Sequence, residues 1–260
     1  MTLLADLVRT SQRVGATAAR LSKVRELASF LRALPPDEIE TAAHYLSGEI
    51  PQGRIGLGYS TLQAAAASGA ASAETLSIAE VDRSLALIAT IRGAGSAVGR
   101  AEALRDLLRR ATAPEQQFLV HLLVGELRQG ALAGSMVEAI AAAAELPVAQ
   151  VRRAAMYSRS LGAVARAALL EGADALGRFQ LQLFSPVAPM LAQTAADVGE
   201  ALRELRGEVA FEWKMDGARI QVLRGERSEL ISSMRMCRRK FRKKSRFAYF
   251  AFFRKHCRML

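Results

Sequence analysis

Cysteine is missing from residues 1–227 of this 260-residue chain, and only Cys237 and Cys257 occur beyond them. A disulfide framework for the body of the protein is thereby excluded. Two cysteines with nineteen residues between them, and no pair of histidines nearby, do not make a metal site. Histidine is scarce as well, and His44 and His121 read as packing or surface residues rather than catalysts. No apolar run reaches the length of a membrane helix, and the first residues lack a basic stretch followed by an apolar core. The expectation is a soluble, cytoplasmic chain with no membrane partner.

Acid is nearly missing from the other end. Residues 228–260 hold 11 Lys and Arg against Glu229 alone, with no Gly, Pro or Asp and six of the fifteen aromatics. The chain as a whole carries +11, from 36 Lys and Arg and 25 Asp and Glu, so residues 1–227 are close to neutral at 25 against 24. The basic balance therefore says little about the body. A break this abrupt reads as a tail foreign to the fold, from a lost reading frame or a fusion. The alternative is a basic nucleic-acid tail with interleaved aromatics. Residues 206–260 are expected to be poorly ordered or aggregation-prone.

What is present in residues 1–181 is helical patterning. Leu3, Leu4, Leu7, Val8 and Val14 fall at helical spacing, and a second helix is predicted over 17–33, with Ala18, Leu21, Val24, Leu27, Ala28 and Leu31 on one face. Pro35 and Pro36 end it, and a third helix runs from Asp37 to close near Gly48. Residues 50–59, broken by Pro51, Gly53, Gly56 and Gly58, predict a loop that turns sharply or approaches something closely. Further helices are predicted over 60–68, 77–91, 101–111, 114–128, 135–144, 148–158 and 161–170, with residues 93–96 a flexible connection. These alanine-rich amphipathic segments bury against one another, which predicts a single all-α domain.

Phe184-Ser185-Pro186-Val187-Ala188-Pro189-Met190-Leu191-Ala192 reads as a linker, because two prolines in four residues prohibit a continuous helix. Thr194 is then expected to cap a helix over 195–205. Next comes Phe211-Glu212-Trp213-Lys214-Met215-Asp216-Gly217-Ala218-Arg219. Residues 208–214 and 220–223 predict two strands, with Asp216-Gly217 as the tight turn between them. Lys214 falls at a strand end. An amine there attacks as a nucleophile only when its pKa is lowered by burial or a neighbouring cation, and Arg219 offers that cation together with a fork of donors for a phosphate.

Lys-x-Asp-Gly-x-Arg resembles the first motif of the covalent nucleotidyltransferases, which include ATP-dependent DNA ligases, RNA ligases and capping enzymes. With a helical domain and a Pro-x-x-Pro-Met-Leu-Ala linker before it, the chain is similar over residues 1–227 to the multidomain ATP-dependent DNA ligases of bacteria and archaea. Gly125-Glu126-Leu127-Arg128-Gln129-Gly130-Ala131-Leu132, Leu34-Pro35-Pro36-Asp37-Glu38 and Gln52-Gly53-Arg54-Ile55-Gly56 look like segments of the same family.

The resemblance implies a mainly α fold. A helical DNA-binding domain (1–181) precedes a linker and the start of an α+β nucleotidyltransferase domain (182–227), and the tail (228–260) follows. Lys214 would become AMP-lysine, Glu212 would recognise adenine, Arg219 would meet the ribose and phosphate, and Asp216 and Gly217 would shape the loop beside the phosphate. The implied reaction seals nicks in double-stranded DNA in repair, replication or recombination, using ATP and Mg²⁺, by a monomer acting at the nucleoid. Arg54, Arg128, Arg152, Arg153 and Arg159 are candidates for DNA-backbone contacts. The family's later motifs are not found after residue 227, and Ser232-Ser233-Met234-Arg235 does not supply one of them. The expectation is therefore a fragment, inactive or weakly active. The alternatives are a non-catalytic DNA-binding module and, behind it, a helical scaffold that meets only proteins.

Overall fold

The computed structural model describes residues 1–53, 55–127, 132–188, 197–205 and 209, with the backbone of residues 220–224 and 229–233. It divides the chain into two units, Met1–Leu191 and Ala192–Leu260.

The described part of the first unit contains α1 (Leu4–Ala16), α2 (Arg20–Arg32), α3 (Ile39–Leu46), α4 (Tyr59–Ala66), α5 (Ile78–Thr90) and α6 (Ser96–Arg109). It continues with α7 (Ala113–Val124), α8 (Leu132–Ala144), α9 (Val148–Tyr157), α10 (Leu161–Glu171) and the short α11 (Ala173–Leu176). The mainly helical fold is as the sequence predicts. Capping residues set several starts. Ser77 Oγ accepts from Glu80 N (3.2 Å) while Ser77 N donates back to the Glu80 carboxylate (3.0 Å), a reciprocal cap that opens α5. Thr112 and Glu115 open α7 similarly, with Thr112 N donating to Glu115 at 2.7 Å.

Some boundaries differ from the pattern. Residues 17–19 are not helical. Ala19 N donates to Thr17 Oγ1 (3.2 Å), and α2 begins only at Arg20. Ala18 is consequently exposed, and Leu21, expected on the buried face, is 69% exposed. The later residues Val24, Leu27, Ala28 and Leu31 are buried as predicted. Helix α6 starts at Ser96 rather than 101, directly after Gly95 in the left-handed region (φ 77°). Helix α7 stops at Val124 rather than 128, because Gly125 (φ 74°) turns its N–H back to the His121 and Leu122 carbonyls.

The core is one contiguous cluster running from Leu4 to Leu176. Within it α2 packs along α8, α3 along α10, and α4 and α5 against α6. The α3–α10 crossing depends on Gly162. A Cβ there would lie 2.4 Å from the Glu40 carbonyl and 2.5 Å from the His44 ring, so any side chain would force the helices apart. The first residues are tied in too. Thr2 N donates to both carboxylate oxygens of buried Glu38 (3.1 and 2.9 Å), and Leu4 N and Ile78 N reach Leu76 O and Thr2 O (2.8 and 3.0 Å).

In the second unit, α12 (Val198–Leu205) is capped by Asp197, whose Oδ1 accepts from Glu200 N at 2.8 Å. Thr194, the expected cap, lies outside the described residues. Strands β1 (Ile220–Arg224) and β2 (Glu229–Ser233) pair antiparallel, with Ile220 opposite Ser233 and Arg224 opposite Glu229. The predicted strand over 208–214 lies outside the described residues, apart from the position of Val209. Among the described residues, β1 pairs with the segment that follows it.

Candidate functional site

The candidate catalytic and nucleotide-contact residues expected from the motif, Glu212, Lys214, Asp216, Gly217 and Arg219, all lie outside the described residues, as do Arg54 and Arg128. The described strand β1 begins directly after Arg219. Three of the five candidate DNA-contact arginines are described. On α9, Val151 and Ala154 face the core, which turns Arg152 and Arg153 outward, and Arg159 is exposed on the turn that leads to α10.

These three are not equivalent. Arg152 Nη2 lies 3.8 Å from a carboxylate oxygen of Glu138, which also pairs with Arg20. Arg159 Nη2 makes a long 3.5 Å bond to the Phe184 carbonyl. Arg153 has no ion pair among the described residues. Long contacts such as these contribute little to stability.

Two of the family-like segments anchor to the core. In the loop before α4, Gln52 Nε2 donates to Asp82 Oδ1 (2.8 Å), and the Tyr45 hydroxyl reaches the same oxygen at 3.4 Å. Burial first, and then the neighbouring Asp82, push the Tyr45 hydroxyl pKa upward, so it stays protonated as a donor. Ile55 is buried, which pins the loop between its glycines. In the second segment, Leu127 is buried and Glu126 N donates to the His121 carbonyl (2.9 Å).

The histidines divide. His44 is buried, and its Nε2 is 2.8 Å from Ser160 Oγ, the cap of α10. Burial holds its pKa below the ordinary value, against the opposing pull of Glu49, Glu40 and Asp82, and its Nδ1 finds no partner. That is a packing role, as its position in the pattern suggests. His121 is exposed and borders a groove of about 420 Å³ with Val8, Gln12, Phe118 and Leu127. No group of three or more His, Cys, Asp or Glu side chains suited to a metal ion occurs among the described residues. No described helix is long and apolar enough to cross a membrane.

Comparison with known proteins defines the class first. Residues 66–141 match the DNA ligase N terminus, and residues 189–247 match the ATP dependent DNA ligase domain. A probable DNA ligase of Anaeromyxobacter dehalogenans is 56% identical over 224 residues, covering 85% of this chain and 44% of that protein. Probable DNA ligases of Saccharopolyspora erythraea and Mycolicibacterium gilvum are 52% and 48% identical, over 86% and 85% of the chain. The chain belongs to the ATP-dependent DNA ligase family and carries its N-terminal part. It spans about 44% of the length of the first of these curated relatives. The second match runs through β2 and past the compositional break at residue 228.

Proposed function

We propose that this chain is the DNA-gripping and lysine-bearing part of an ATP-dependent, nick-sealing enzyme. The observation that carries the reading is that Lys214-Met215-Asp216-Gly217-Ala218-Arg219 lies inside the residues matched to the ATP-dependent ligase domain. Lys214 Nζ attacks the α-phosphorus of ATP, pyrophosphate leaves, and a phosphoramidate bond holds AMP to the lysine. AMP then passes to the 5′-phosphate at a nick, and the adjacent 3′-hydroxyl displaces it to close the strand. Glu212 reads the adenine, Arg219 meets the ribose and phosphate, and Asp216 and Gly217 shape the turn between them. Mg²⁺ would supply charge neutralisation at the phosphates.

The helical unit holds the duplex through its backbone, with Arg54, Arg128, Arg152, Arg153 and Arg159 as contacts, and the protein acts as a monomer at the nucleoid in repair, replication or recombination. Residues 1–181 are the DNA-binding domain and 182–227 the start of the adenylation domain, while residues 228–260 depart from both in composition although β2 and the ligase-domain match run into their first part. For the 260-residue chain itself we expect weak adenylation and no efficient sealing, because the family's later motifs are not found in it. The second reading, a non-catalytic DNA-binding module, is favoured only if the lysine is idle.

The test is incubation of the purified chain with ATP labelled at the α-phosphate, followed by denaturing electrophoresis, beside Lys214→Ala. A faint label on the wild type and none on the variant supports the reading. Equal labelling of both overturns the role of Lys214, and robust nick sealing by the chain overturns the fragment reading. Limited proteolysis tests the tail: a resistant core ending near residues 181–205 supports it, and resistance through residue 260 contradicts it.

A further inference from the structure

Arg100 was not among the arginines singled out from sequence, because the pattern placed it just before a helix. In the structure it belongs to the second turn of α6, where it meets the end of α5 and the glycine loop ahead of α4. Its Nη1 donates to the carbonyl of Ile91, the residue that closes α5, at 3.0 Å. That bond fixes the plane of the guanidinium. The other face of the group lies against Gly56. A Cβ built on Gly56 would be 3.4 Å from Arg100 Cζ and 3.5 Å from Nη2.

Gly56 also stands at φ 71°, a conformation that L side chains rarely adopt, while Ile55 beside it is buried. The backbone therefore passes over the guanidinium without a side chain to cover it. Arg100 has no acidic partner among the described residues, unlike Arg9, Arg13, Arg20, Arg110 and Arg178, which all have one. Its Nε is buried and has no acceptor, and Nη2 makes no bond among the described residues. An arginine that is half-buried, held in one orientation and left without an anion has already lost most of the freedom that binding would otherwise remove.

We propose that Arg100, framed by the Ile91 carbonyl and Gly56, is a preorganised seat for one phosphodiester of duplex DNA. The seat deepens the DNA-binding reading above and rests on it. It does not involve Arg54, which is outside the described residues. Nη2 supplies the contact, and the Ile91 bond keeps the fork from swinging away. A point charge on a flexible stem would not reproduce both functions, so lysine is an incomplete substitute.

The experiment is fluorescence anisotropy of a nicked duplex with the full chain, wild type, R100Q and R100K, between 50 and 200 mM salt, alongside thermal unfolding of each. The expected result for R100Q is several-fold weaker binding at low salt, with the slope of log K against log salt smaller by about 0.9, one phosphate's share. R100K should recover the slope and only part of the affinity. An unchanged slope in a folded R100Q overturns the seat while leaving DNA binding intact. No binding by the wild type at 50 mM salt overturns the DNA reading, and the seat with it. Should R100Q fail to fold, the side-chain Nε–H resonance of Arg100 in the wild type decides: a shift on adding duplex supports the seat, and no shift overturns it.

Discussion

The two units of the chain make a sharp contrast in how their apolar residues are covered. In the helical unit the apolar faces of α1 to α10 converge on one core, with Leu4, Leu31, Leu85, Ile88 and Leu104 fully buried. In α12, Val198, Leu202 and Leu205 recur at spacings of four and three on one stripe, yet all three are exposed and no residue of the helix is buried. The same kind of amphipathic sequence thus ends in two outcomes. A stripe stabilises a helix only where another element packs on it, and the helical unit supplies that cover from its own chain. The chain spans less than half of the curated relatives compared above, and the lysine chemistry proposed for it belongs to the unit whose described helix buries nothing.

The largest expected effect that would break this contrast is chemical. Lys214→Ala should abolish whatever AMP labelling the chain shows while leaving its thermal unfolding unchanged, since Lys214 belongs to the second unit. A coupled loss of stability would mean that the two units fold together. Next comes packing. Leu85→Ala should cost about 2–5 kcal/mol, because the surrounding helices cannot close around the space left behind. Gly162→Ala should cost about 1–3 kcal/mol by overpacking against the Glu40 carbonyl and the His44 ring. Chemical denaturation of each variant checks the two numbers. Leu202→Ala on the exposed stripe of α12 is the control, with an expected change close to zero.

A smaller effect is pH dependence, and it has two windows of one sign. The folded pKa of His44 is below its ordinary value, so the unfolded chain takes up its proton first. Stability is complete above about pH 6.5 and declines as the pH falls below that value. Glu80 is held down to about 2 by the Ser77 backbone N–H first, then by Arg110 and the Ser77 hydroxyl. Its contribution is present above the ordinary carboxylate range and is lost as the pH falls from there toward 2. Urea midpoints measured from pH 7.5 down to pH 3 should therefore fall in two stages, and His44→Gln should flatten the upper one. The smallest expected change is at Arg153→Gln, which should lower the salt slope of DNA binding by about 0.9 without altering stability. An unchanged slope would remove Arg153 from the interface.

Much of the helical unit was legible because its signals are local. Val24, Leu27, Ala28 and Leu31 keep a 3.6-residue rhythm, and Pro35-Pro36 interrupts one helix before the next. Leu21 shows the limit of such reading. It fits the rhythm and lies in the first turn of α2, but it is 69% exposed, because periodicity does not say which turn of a helix another element covers. The motif around Lys214 was legible for a different reason. The chemistry proposed for it demands particular residue types at fixed spacing, whatever surrounds them.

The sequence by itself determined the mainly helical class, the breaks that divide the helices, and the family, because periodicity, turn chemistry and motif spacing are properties of neighbouring residues. Only the tertiary structure decided that Gly162 is a crossing point and that His44 is clamped to Ser160. It alone decided that Glu138 is shared between Arg20 and Arg152 while Arg100 has no acidic partner among the described residues. Each of these joins residues distant in the chain, and which charges neutralise one another depends on how the helices cross.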